Sequence, residues 1–154
     1  MIIPKKLCLA FFLLASNSFA GTLYVDPSLG VNCLTDYNIG ARNCNGGNSK
    51  AYADFESAIS SASAGDNIIL RGGNYNQLNI NRSGVAGNPI KIKAATGESV
   101  KVSSSSVGLL FIRVSDVEVD GITVDNVQGF GRLEDAIRIH IKNTATQYFL
   151  KWLF

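Results

Sequence analysis

From residue 66 onward the chain breaks into short β-like segments that return at a nearly fixed interval, and that interval limits the folds open to it more than any other feature. The segments are Ile68 to Arg71, Leu78 to Asn81, Ile90 to Ala94, Lys101 to Ser103, Leu110 to Val114, Val117 to Val119, Ile122 to Val124 and Ala136 to Ile141. Apolar side chains alternate within them, as in Ile90 and Ile92, Val117 and Val119, or Ile122 and Val124, so each segment buries one face and wets the other. Ile68 to Ile90 spans 22 residues, Ile90 to Ile112 another 22, and Val117 to Ile137 spans 20. A spacing of that size is one supersecondary unit per repeat. It favours an all-β stack, a parallel β-helix in which each strand lies about 4.8 Å above the last and Ile, Leu and Val run continuously through the interior. A sandwich would need hairpins, and Asp120-Gly121 is the one convincing two-residue hairpin signal.

A solenoid of this kind leaves its core open at each end and needs a cover there. Phe55, Ala58, Ile59 and Ala62 fall at i, i+3, i+4 and i+7, one face of a helix, with Ser57, Ser60, Ser61 and Ser63 on the others. Asp54 and Glu56 suit the positive end of its dipole and Gly65 supplies a stop. Residues 51–65 are therefore expected to form an amphipathic capping helix ahead of coils over 66–143. Before it, residues 21–50 read as a short strand, Thr22 to Val25, ended by Asp26-Pro27, and then a polar loop to about Lys50. At the other end Tyr148 to Phe154 places six apolar or aromatic residues in seven positions with no Gly or Asn turn. Residues 144–154 are thus an atypical hydrophobic tail, either a makeshift cap or the scar of a truncated or frame-shifted reading frame.

Residues 1–20 stand apart from the fold. Lys5 and Lys6 precede a nine-residue apolar run, Leu7 to Ala15, and Ser18-Phe19-Ala20 puts small residues at the minus-three and minus-one positions of a cleavage site. A span of the membrane needs about 20 apolar residues, so the pattern reads as a signal peptide rather than an anchor. A secreted or periplasmic protein is expected, with no membrane association after cleavage. Loss of Lys5 and Lys6 leaves 12 basic residues against 12 acidic ones. Only 17% of residues are charged and no Lys/Arg block occurs, which excludes nucleic acid as a partner. Cys8 leaves with the signal, so Cys33 and Cys44, in a segment rich in Gly and Asn, are expected to form a disulfide worth about 2 to 3 kcal/mol. Two cysteines and the distant His140 do not make a zinc spacing.

Three segments in order carry a resemblance: Tyr24-Val25-Asp26-Pro27, then Ala64-Gly65-Asp66-Asn67-Ile68-Ile69-Leu70-Arg71-Gly72-Gly73-Asn74-Tyr75 beyond the helix, then Ser83-Gly84-Val85-Ala86-Gly87-Asn88-Pro89-Ile90-Lys91-Ile92-Lys93-Ala94. From about Thr22 to Asn143 the chain resembles the N-terminal portion of the secreted right-handed parallel β-helix family that includes pectate lyases and related alginate and chondroitin lyases. These segments are architectural and do not name a substrate. The resemblance implies a lyase of acidic polysaccharide, calcium as its usual cation, and catalytic residues on later coils than the roughly five expected here. The chain alone is accordingly expected to be an inactive fragment and a monomer. The other class open to it is a non-catalytic extracellular β-helix serving adhesion or carbohydrate binding.

Lyases of this kind remove a proton next to a carboxylate, which takes a base, usually Lys or Arg, and a cation to hold the developing charge. Asp116, Glu118 and Asp120 would project outward along one strand if Val117 and Val119 face inward, about 7 Å apart, as candidate calcium ligands. Asp116, Asp120 and Asp125 also fit turns beside Ser115, Gly121 and Asn126, the commoner use of Asp. Lys91, Lys93, Lys101, Arg113 and Arg138 fall at outward positions, and stacked at coil spacing they would make a stripe for a polyanion. Solvated lysines that guard strand edges are the plainer reading. Gly72-Gly73 and Gly84 to Gly87 open no helix with Lys-Ser or Lys-Thr behind it and are expected to be turns rather than phosphate loops.

Overall fold

Apolar residues on successive coils meet in register in the computed structural model, which describes residues 20–104, 108–125 and 137–141. Its elements are β1 (Thr22–Val25), β2 (Cys33–Tyr37), β3 (Ser49–Tyr52), α1 (Phe55–Ser61), β4 (Asn67–Leu70), β5 (Gly73–Tyr75), β6 (Leu78–Ile80), β7 (Ile90–Ala94), β8 (Val100–Ser103), β9 (Leu109–Phe111), β10 (Val117–Asp125) and β11 (Ile137–Ile141). The chain is a parallel β-solenoid. One wall stacks β1, β4, β7, the first half of β10, and β11; a second stacks β5, β8 and the second half of β10; a third pairs β6 with β9. Among the described residues two complete coils, β4 to β6 and β7 to β9, are thus followed by a third in β10 and the start of a fourth in β11.

Leu23, Ile68, Ile92, Val119 and Ile139 share one register row. Tyr75, Val102 and Val124 form another on the second wall, and Leu78 faces Leu109 on the third. All of these with described side chains are buried, in one cluster that also takes in Ile80, Ile90, Val117 and Ile122. Because Ile68 meets Ile92 and Ile92 meets Val119, the coils measure 24 and then 27 residues, not a constant 22. The expected phase of the third-wall strand is also corrected. Leu109 and Phe111 point inward, whereas Ile112 is 45% exposed and Arg113 follows it at φ 50°. Leu109-Leu110-Phe111-Ile112 is apolar throughout, so its alternation cannot be seen, and a slip of one residue exchanges the two faces.

Helix α1 is shorter than expected, because Ala51 and Tyr52 belong to β3. Asp54 is its N-cap, accepting from the Ser57 amide at 2.7 Å and the Ser57 hydroxyl at 2.8 Å. Phe55, Ala58, Ile59 and Ala62 are buried in the main core, as their spacing requires. The stretch read as loop contains two further strands: β3 extends the first wall beside β1, and β2 pairs antiparallel with β3. The Cys33–Cys44 disulfide closes this layer, its Cα atoms 5.2 Å apart, over a small separate core of Cys33, Tyr37 and Ala51.

Asp120-Gly121, the one hairpin signal in the sequence, is a bend inside β10. Gly121, at φ 74°, lets one strand pass from the first wall to the second. Gly84 is demanded by packing, since a Cβ there would lie 2.4 Å from the Asp116 carbonyl oxygen. Residues 1–19, which hold most of the stretch read as a signal peptide, and the tail at 144–154 lie outside the described residues.

Candidate functional site

The outward side of the first wall carries two register rows. One runs Thr22, Asn67, Lys91, Glu118 and the other Tyr24, Ile69, Lys93, Asp120; in backbone register Glu118 stands opposite Arg138 and Asp120 opposite His140 of β11. Lys91 and Lys93 are brought together on β7, half-buried, with Glu118 and Asp120 of the next coil directly opposite. Opposite charges at adjacent strand positions stabilise the stack by about 0.2–1 kcal/mol per pair, and they also neutralise one another towards a ligand. Lys101 lies on the second wall, exposed, in the row Asn74, Lys101, Thr123. Arg113 is in the turn after β9, beside the third. The four cations therefore occupy different sides of the coil instead of one stripe.

The acidic trio has two different settings. Asp116, at φ 54°, precedes β10; its carboxylate accepts from the Ser115 hydroxyl at 3.0 Å and its carbonyl from the Ile90 amide at 3.1 Å. Glu118 and Asp120 face the two lysines. Among the described residues the set of three metal-capable ligand atoms lying within 4.8 Å of one another is Cys33, Asp36 and Cys44, and its two sulfurs are bonded together. Asp116, Glu118 and Asp120 do not form such a set among the described residues.

The most concentrated chemistry lies elsewhere, among residues that periodicity does not single out. Asp26, fully buried at the end of β1, accepts from the Tyr37 hydroxyl at 2.8 Å, from the Ser28 amide and hydroxyl, and from Arg42 Nε at 2.9 Å and Nη2 at 2.5 Å. Arg71 donates to the same Tyr37 oxygen at 2.6 Å, to the Ile39 carbonyl, and through Nε and Nη2 to Glu98, whose carboxylate also takes the Gly72 amide. Arg42 reaches the Gly72 carbonyl at 3.0 Å. The disulfide loop, the end of β1 and the turns of the first two coils are thus bound into one network.

Its electrostatics follow from these bonds. Burial alone would raise the Asp26 carboxyl, but the bonds from Arg42, Ser28 and Tyr37 outweigh it and hold that carboxyl well below the usual range. Burial and the bond to Asp26 push the Tyr37 hydroxyl up to about 12. Glu98 is held low, chiefly by the Arg71 bond. No buried side-chain polar atom among the described residues lacks a partner. With Asp26 and Tyr37 fully buried and Arg71 nearly so, a substrate has no access to them. The network ties the coils to the N-terminal layer. The segments Asp26-Pro27 and Arg71-Gly72-Gly73 displayed two of its members, but their partners Tyr37, Arg42 and Glu98 lie 11 to 34 residues away, where spacing gives no signal.

Among the described residues no helix is long and apolar enough to cross a membrane. No solved structure matches the chain. A curated relative, the uncharacterized protein YwoF of Bacillus subtilis (strain 168), is 25% identical over 138 residues, covering 84% of this chain and 27% of the relative. The chain thus spans about a quarter of the length of that relative. The family model for Chondroitinase B matches residues 49–146, a stretch that begins at β3 and takes in every coil just described. With that match resting on the stacked walls themselves, the chain belongs to the chondroitinase B family.

Proposed function

We propose that these coils are the N-terminal part of an exported polysaccharide lyase that cleaves an acidic polysaccharide by β-elimination in its full-length form, and that they bind the polymer without cleaving it. The observation carrying this reading is the chondroitinase B match over residues 49–146, whose name supplies an acidic sugar polymer as substrate class. β-Elimination takes a base within about 3 Å of the proton and a fixed stabiliser for the charge left behind. The described residues offer Lys91 and Lys93 on a wall where Glu118 and Asp120 answer them, and no convergent base and cation. The reacting groups are therefore assigned to further coils of a longer chain, consistent with the 27% of YwoF that the match covers. Here the role of Lys91, Lys93, Lys101 and Arg113 is contact with the polymer's carboxylates and sulfates, for a chain working as a monomer. Export is supported by the leader pattern of residues 1–20 and by the disulfide, which persists in oxidising compartments.

The charge-balanced first wall also favours a second reading, a non-catalytic extracellular β-helix for adhesion or carbohydrate binding. The two are separated by following unsaturated uronide, by its ultraviolet absorbance, in mixtures of the exported protein with chondroitin, pectate or alginate, with and without calcium. No product from residues 21–154, but product from a chain extended through its downstream coils, supports the lyase. Binding with no product from the extended chain supports the second reading. Steady calcium-dependent product from residues 21–154, lost on changing Asp116, Glu118 and Asp120 to Ala, would overturn the assignment of chemistry to later coils.

A further inference from the structure

We propose that Asp66 is a buried receptor for the α-ammonium group that leader removal creates on Gly21, so that processing itself completes the fold. The proposal rests on the export reading of residues 1–20 and is independent of any lyase activity. Gly21 directly follows Ser18-Phe19-Ala20, the small-residue pattern at which a leader peptidase cuts. Its backbone nitrogen lies 2.7 Å from Asp66 Oδ1. Asp66 is only 8% exposed, and its other oxygen is taken by the Ser63 amide at 2.8 Å. Neither donor carries a charge before processing.

Position 21 is held in place by the fold. The Asn67 amide donates to the Gly21 carbonyl at 2.8 Å, and Thr22 stands opposite Asn67 at the start of the first wall. Asp66 is anchored in turn, because its carbonyl accepts from the Lys91 amide of the next coil at 2.9 Å. A side chain at position 21 would begin 3.1 Å from Asp66 Oδ1, so glycine keeps the nitrogen and the carboxylate in direct contact.

Cleavage of the Ala20–Gly21 bond consumes one water. The acyl carbon of Ala20 gains the oxygen and leaves with the leader as a carboxylate, while the Gly21 nitrogen is released as an amine that is protonated at neutral pH. One of its protons occupies the place of the former amide proton towards Oδ1, and the others face outward. A neutral donor to a carboxylate thereby becomes an ion pair in a partly desolvated setting, where such a bond is about twice as strong.

Intact mass and N-terminal sequencing of the exported protein should show a chain that begins at Gly21; a start at any other residue overturns the proposal. Thermal unfolding of four semisynthetic chains then measures the pair: free Gly21 amine or Nα-acetyl-Gly21, each with Asp66 or with Asp66→Asn. Acetylation should lower Tm by about 3 °C or more with Asp66 present and leave the Asp66→Asn chain unchanged. An equal effect in both backgrounds, or none in either, overturns it. Should Asp66→Asn fail to fold, the carboxylate 13C resonance of Asp66 in the unsubstituted chain decides the matter: it should move on acetylation of Gly21, and an unmoved resonance overturns the proposal.

Discussion

Replacing Asp26 by Ala leaves the Arg42 guanidinium and the Tyr37 hydroxyl facing a methyl group inside the N-terminal layer. Removing one partner of a buried, hydrogen-bonded charge pair costs about 3–5 kcal/mol, so this variant should melt well below the parent in a calorimetric scan. The network also sets the response to acid. Asp26 and Glu98 are both held below the carboxylate's unfolded value of roughly 4. Their stabilisation is therefore fully present above that value and drains away as pH falls towards their lower folded values. Tm should drop steeply between about pH 4 and pH 2, and Asp26→Asn should flatten the drop. A parent whose Tm is level across that interval would contradict the network's role. None of this was legible beforehand, since Arg71 meets Glu98 and Tyr37 only because a coil returns the chain to the same turn.

At the scale of elements, legibility followed burial pattern. Helix α1 was visible because Phe55, Ala58, Ile59 and Ala62 keep a helical spacing, and β7 because Ile90 and Ile92 alternate cleanly with Lys91 and Lys93. Strands β2 and β3 were not, because Cys33-Leu34-Thr35-Asp36-Tyr37 and Ser49-Lys50-Ala51-Tyr52 show no alternation of apolar and polar residues and owe their pairing to the neighbouring wall. Ile59→Asp would place a charge in the core beneath the first coil, at a cost of several kcal/mol, and should abolish the cooperative melting transition. Retention of the parent Tm would refute the covering role proposed for α1. The layer closed by Cys33 and Cys44 should show no reactive thiol under denaturing conditions, and reduction should destabilise the protein by about 3 kcal/mol in a denaturant titration.

For the whole molecule, charge arrangement matters more than net charge. If Glu118 and Asp120 damp the two lysines opposite them, Glu118→Gln with Asp120→Asn should strengthen retention on a sulfated-polysaccharide column, and Lys91→Ala with Lys93→Ala should weaken it, both effects shrinking as salt rises. Retention unchanged in both double variants would remove this wall from the proposed polymer contact. The solenoid itself was legible from repeat spacing, although the coil length varies because turns between walls absorb different numbers of residues. The strong fastenings are unevenly spread. Asp26, Tyr37, Arg42, Arg71 and Glu98, together with the disulfide, all precede residue 99, whereas the described third coil is joined to the second by strand pairing, apolar rows and the charges that face one another across β7 and β10. Synthesis runs from the N-terminus, so every group needed to lock the first two coils exists before β10 has been made. The growing polypeptide thus carries its own finished template, and later coils have only to zip onto an end that is already rigid.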